Sequence, residues 1–133
     1  MAIGRGAVET DAVPAMKLVL DCLDPTALAS FWAGALGYTV LGSVENYTLL
    51  ADATGSGPQL LLQKVPEVKA GKNRMHLDID AVDIVAEADR LESLGARRIE
   101  SEVMCEHGSS WVLMADPEGN EFCVCDGGAG PPR

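Results

Sequence analysis

One pattern is written into this chain twice. Lys17-Leu-Val-Leu-Asp-Cys-Leu-Asp24 returns in outline as His76-Leu-Asp-Ile-Asp-Ala-Val-Asp83, and each copy runs through a helix-like stretch to Leu36-Gly37 or Leu94-Gly95. A span of 59 residues separates Lys17 from His76 and Asp24 from Asp83, and 58 separate Gly37 from Gly95. Ala51-Asp-Ala-Thr-Gly55 and Ala115-Asp-Pro-Glu-Gly119 extend the match at an offset of 64. A duplicated chain solves one packing problem twice and then joins the two solutions, so the repeat constrains the architecture before any function is considered.

Each copy reads as strand, helix, then three strands. Leu18, Leu20 and Cys22 alternate with Lys17, Val19 and Asp21, and Leu77 and Ile79 with His76, Asp78 and Asp80, the period of two that gives a sheet one apolar and one polar face. Asp24-Pro25 is an N-cap followed by proline at the first helical position. The helix it opens carries Leu28, Phe31, Trp32 and Leu36 on one side and stops at Gly37. The second helix follows Asp83, aligns Ile84, Ala88 and Leu91, and stops at Gly95. The later strands are expected over residues 38–42, 47–52 and 59–65, then 97–103, 110–115 and 121–125. Asp116-Pro-Glu-Gly-Asn120 is the tight turn before the last strand. The expected organisation is an N-terminal tail over residues 1–14, one domain over 15–127 with modules at 15–66 and 74–127, and a C-terminal tail over 128–133.

A chain of 133 residues with 47% hydrophobic side chains can bury a core from both modules. No run approaches the roughly 20 apolar residues of a membrane span, and the first dozen residues lack an export signal, so a cytoplasmic protein without membrane association is expected. The four cysteines show no CxxC pair and read as reduced; Cys123 and Cys125 project to one side of a strand, poor geometry for a mutual disulfide. A net charge of −10 excludes nucleic acid as the expected partner, because phosphate backbones require concentrated lysine and arginine.

Three separated segments carry a resemblance: Asp24-Pro-x-x-Leu-x-x-Phe-Trp-x-x-x-Leu-Gly-Tyr38, Lys72-Asn-Arg-Met-His-Leu-Asp78 and Ala115-Asp-Pro-Glu-Gly-Asn-Glu-Phe-Cys123. With the paired βαβββ units, they resemble the vicinal oxygen chelate superfamily over about residues 16 to 126. Within it they look most like the glyoxalase-like group that includes bleomycin-resistance proteins and extradiol dioxygenases. The resemblance implies an α+β fold in which two tandem βαβββ modules form a curved mixed sheet around a central cleft. In metal-dependent members each module gives that cleft one ligand from its first strand and one from its last, usually His, Gln or Glu. Such donors suit a divalent ion that grips neighbouring oxygens of a substrate.

Carried onto this chain, the first-strand positions are Lys17 and His76, and the last-strand positions are Leu61 and Cys123. Lysine stays cationic and leucine offers no donor, so His76 is the one ordinary ligand and Cys123 a soft, unusual partner. Gln63 and Glu121 share strand faces with Leu61 and Cys123, and a slip of register brings either into reach. This replacement leads us to expect no cofactor, with a divalent metal on an atypical ligand set as the alternative.

Lys17, Asp21, His76, Asp78 and Asp80 fall on the polar side of their strands, with Glu121 joining from the last one. Buried unpaired charge is costly, so these groups either pair, Lys17 with Asp21 or Asp78, or face water and a ligand. The catalytic candidates are His76, Asp78 and Glu121, with His76 as general acid or base and Lys17 stabilising an enolate-like anion. The ligand-binding candidates are Lys17, Asp21, Gln63, Trp111 and Cys123, Trp111 offering either a flat surface to a ligand or plain packing. Trp32 belongs to the core stripe, and His107 is expected in solvent. The functions left open are a metal-independent lyase- or isomerase-type enzyme acting on a small molecule, a non-catalytic antibiotic- or metabolite-binding protein, and a metal-dependent glyoxalase or dioxygenase with unusual ligands. Unpaired sheet edges point to a homodimer.

Overall fold

The computed structural model describes residues 15–127, so both expected tails lie outside the described residues. Module one consists of β1 (Lys17–Cys22), α1 (Pro25–Leu36), β2 (Tyr38–Val44), β3 (Tyr47–Asp52) and β4 (Gln59–Lys64). Module two consists of β5 (Leu77–Asp80), α2 (Ile84–Leu94), β6 (Arg97–Arg98), β7 (Met104–Glu106), β8 (Ser109–Ala115) and β9 (Glu121–Cys125). The first sheet has the order β1-β4-β3-β2. The second runs β5-β9-β8-β6, with β7 also on β8. In each, the first strand runs parallel to the last strand of its module and the other pairings are antiparallel. The α+β fold with two repeated units and a cleft between them is therefore present, built from two mixed sheets.

Both helices begin and end where the sequence places their signals. The Asp24 carboxylate accepts from the Ala27 amide at 3.1 Å, and Asp83 from the Ala86 amide at 3.0 Å, satisfying donors that a first helical turn leaves without partners. Gly37 adopts φ 69°, the left-handed conformation that closes α1 without a Cβ clash. Leu28, Phe31 and Trp32 of α1 are buried, as are Ala88 and Leu91 of α2.

Two strands depart from expectation. β2 runs on to Val44 through a register shift between Val40 and Gly42, so the chain bends without leaving the sheet. The strand expected over 97–103 is only Arg97–Arg98, after which the amides of Ile99 and Glu100 both point at the Leu113 carbonyl. That doubled approach ends the regular ladder, and pairing resumes at Met104 as β7.

The modules are joined through α1. Trp32 meets Phe31 edge-on at 5.0 Å and Phe122 of β9 at 5.3 Å between ring centroids. Its indole Nε1 donates to the buried Asp116 carboxylate at 3.0 Å. Glu118, in the same turn, accepts from the Leu23 and Asp24 amides at 2.7 and 2.9 Å, at the entrance to α1. Arg90 of α2 reaches back to the carbonyls of Gly34 and Ala35, both at 3.0 Å. The Asp116-to-Asn120 turn thus fastens module two onto the start of module one, beyond setting a bend. The four cysteines form no disulfide with one another, and no helix among the described residues is long and apolar enough to cross a membrane.

Candidate functional site

The parallel pairs in the two sheets have matching registers. Lys17 stands beside Gln59, Val19 beside Leu61 and Asp21 beside Gln63; in module two Asp78 stands beside Cys123 and Asp80 beside Cys125. The offset of 59 makes Val19 the counterpart of Asp78, and the matching registers make Leu61, level with Val19, the counterpart of Cys123. Residues level with one another on paired strands share a sheet face. The open face of β1 and β4 therefore carries Lys17, Val19 and Leu61 where that of β5 and β9 carries Asp78 and Cys123, with His76 at the entrance to β5.

Strands β1 and β5 flank a cavity of about 200 Å³ between the modules. Leu18, Leu20, Trp32, Leu60, Leu77 and Phe122 make its apolar wall. Lys17, His76 and Glu121 contribute its charged and titratable groups, with Asn73 and Asn120 beside them. Lys17 and His76, the two first-strand positions, thus face one space. Lys17 makes no ion pair among the described residues, so the expected pairing with Asp21 or Asp78 does not form. An adjoining groove of about 560 Å³ shares Val19, Leu20, Asn73 and Asn120 with the cavity and takes in Asp21.

His76 instead partners Asp78, with Nε2 at 3.4 Å from the carboxylate oxygen; their side chains are 43% and 38% exposed. Cys123, buried on the neighbouring strand, completes a cluster in which one ligating atom from each residue lies within 4.8 Å of the others. A ring nitrogen, a carboxylate oxygen and a sulfur converging on one point are donors that fit a divalent cation. Gln63 and Trp111 lie outside the wall of the cavity. Trp111 is level with Cys125 on β9 and Met104 on β7, on the open face of module two.

Glu121 is committed elsewhere. Its carboxylate accepts from the Asn73 amide at 2.9 Å and pairs with Lys69 at 3.2 Å. Burial alone raises its pKa, but the hydrogen bonds from the Asn73 and Glu121 amides, together with the Lys69 ammonium, outweigh this and hold the carboxyl below its ordinary value. The sequence reading missed Lys69 and Asn73, which tie the segment between the modules to the cavity edge. Neither belongs to a periodic element, so only the three-dimensional return of that segment reveals them. His107 is solvent-exposed at a positive φ of 54°, as its loop composition suggested.

The glyoxalase-like domain family matches residues 17–125. No curated protein matches the sequence. Among solved structures, a variant of the fosfomycin resistance protein FosX from Listeria monocytogenes, complexed with Mn(II) and dihydroxypropylphosphonic acid, superposes with a TM-score of 0.70 at 10% identity, covering 91% of this chain and 94% of that one. A glyoxalase/bleomycin resistance protein/dioxygenase from Nocardioides gives 0.67 at 18% identity, covering 95% and 92%. A glyoxalase-related enzyme from Fulvimarina pelagi gives 0.66 at 17%, covering 84% and 86%. The fold of all three is the one described above.

Proposed function

Because this chain belongs to the glyoxalase-like family of the vicinal oxygen chelate superfamily, we propose that it binds a small organic molecule between its two modules and acts on it by lyase- or isomerase-type chemistry beside His76. The observation that carries this reading is the cavity itself, apolar in its wall and polar where Lys17, His76, Asn73 and Asn120 converge. Sites of that make-up bind by apolar burial and orient by a few polar groups. At about 200 Å³ the cavity holds only the reacting end of a ligand, and the adjoining groove has room for the rest.

Lys17, free of ion pairs among the described residues, is placed to stabilise an anion forming at the cavity mouth. The apolar wall excludes water around that charge, which strengthens the interaction. A divalent ion held by His76, Asp78 and Cys123 would add Lewis acidity beside His76. A second reading, a binding protein without turnover, draws support from Glu121, which its partners hold ionised and occupied. The exposed Val44 and Tyr47, level with each other on the open face of module one, support a two-fold partner covering that face.

Val19 lines both cavity and groove and is 53% exposed, so Val19→Trp fills the ligand's space without entering the core. A thermal-shift screen of catechols, dicarbonyl-glutathione adducts and cationic glycopeptides should yield a binder. At a hundredfold excess over Kd it stabilises the protein by about 2.7 kcal/mol. Val19→Trp should abolish that gain while leaving the unliganded Tm in place. A binder indifferent to Val19→Trp, or no binder at all, sinks the reading.

A further inference from the structure

We propose that His76, Asp78 and Cys123 form a thiophilic metal site contained within module two, which takes a zinc-class divalent cation. It replaces the ligand set of oxygen and nitrogen donors, shared between modules, that the superfamily resemblance implies. The proposal draws on the cavity reading only for what the ion would stand beside. Three observations carry it.

The first is backbone register. Asp78 and Cys123 are level on adjacent parallel strands, and His76, immediately before β5, brings Nε2 to 3.4 Å from the Asp78 carboxylate. Strand register therefore sets Asp78 beside Cys123, and the segment leading into β5 brings His76 to them. The second is reach. Ligand atoms around a tetrahedral zinc stand roughly 3.3 to 3.7 Å apart. The present limit of 4.8 Å is then closed by about one ångström of side-chain movement, and His76 and Asp78 are already at 3.4 Å. The third is the contrast with module one, where Lys17, Val19 and Leu61 take the corresponding places and supply neither a neutral nitrogen nor an anionic donor.

Sulfur decides which ion is held. A cysteine binds as thiolate, releasing its proton when the metal arrives, and thiolate favours zinc-class ions over manganese or magnesium, which prefer all-oxygen shells. Three protein ligands leave the fourth position of a tetrahedral ion open, the arrangement of zinc sites that meet substrates rather than only hold folds together. His76 belongs to both the cluster and the cavity lining, while Asp78 and Cys123 belong to the cluster alone, so His76 is the residue through which the ion meets the cavity.

The test uses the full chain, stripped with chelator and titrated separately with Zn(II), Mn(II) and Co(II). One equivalent of zinc per chain should remain after desalting, manganese should not, and cobalt should give a thiolate-to-metal charge-transfer absorption. Cys123→Ser should remove that absorption and weaken zinc binding at least tenfold, His76→Ala should weaken zinc binding similarly, and Cys105→Ser should change neither. Retention of manganese as strong as zinc overturns the proposal, as does a cobalt spectrum without the charge-transfer band. A band that survives Cys123→Ser, or vanishes with Cys105→Ser, overturns it too. The Val19→Trp experiment reads the organic ligand independently, so loss of either result leaves the other standing.

Discussion

Modules one and two share a strand-helix-strand plan, their aspartate N-caps and the register of their parallel strands, yet one module sets lysine, valine and leucine where the other sets histidine, aspartate and cysteine. The comparison separates what the duplicated backbone requires from what each copy is free to vary. The helix-facing positions, Leu18 and Leu20 against Leu77 and Ile79, stay apolar in both because each sheet must bury one face. The open faces carry no such demand, and there the copies diverge in chemistry. Module one also supplies the helix that locks the two together, so stability and site chemistry are drawn unequally from the two copies.

The largest expected effect lies at that lock. Trp32 is 1% exposed, stacks edge-on with Phe122 and donates to Asp116. Truncation in such a setting costs about 3 to 5 kcal/mol, a large share of a small domain's stability. Trp32→Ala should therefore lower the unfolding free energy of the whole chain in one cooperative step, measured by urea denaturation with circular dichroism. Two separate transitions, with module two unfolding at the wild-type midpoint, would show that the copies are independent after all.

Cys22 gives a second asymmetry, read by pH. The repeat puts Ala81 at its counterpart. Burial first, and then the carboxylates of Glu118, Asp116, Asp21 and Asp24, push the Cys22 thiol from its ordinary 9.0 up to about 12. Two of those carboxylates come from module two's turn. The folded chain thus holds the neutral thiol more firmly than the unfolded chain does. That contribution is complete below pH 9 and is lost as pH rises from 9 toward 12, where only the unfolded chain releases the proton. Chemical denaturation across that window should show stability falling more steeply in the wild type than in Cys22→Ala. Parallel curves would mean that the thiol ionises as readily folded as unfolded.

The parts of this molecule that sequence discloses are those fixed by local rules. Asp24 and Asp83 announce helix starts, Gly37 and Gly95 announce stops, and alternation along 17–22 and 76–80 sorts residues between faces. The bends at Gly42 and Ile99 escape this logic, since they arise from how one strand meets its neighbour rather than from a residue preference. The His76 cluster was legible one residue at a time: His76 and Cys123 through the resemblance, Asp78 through its place on the polar face. Their convergence needed the register between strands more than forty residues apart in sequence. Glu121 shows the opposite limit, because its face was foreseeable and its capture by Lys69 and Asn73 was not.

The smallest expected effect tests whether one residue separates the two faces. Lys17→His gives module one the first-strand donor that module two has, at an exposed position where stability should move by no more than about 0.5 kcal/mol. If a single histidine at that strand position were enough, the variant would take up a second equivalent of zinc. Val19 and Leu61, however, occupy the places of Asp78 and Cys123, and neither provides a lone pair for a metal. One added imidazole is then a monodentate surface ligand that desalting strips away. Elemental analysis of Lys17→His should accordingly give the same zinc content as wild type. A second retained equivalent would mean that a cross-module partner, rather than the register of one sheet, supplies the missing donors.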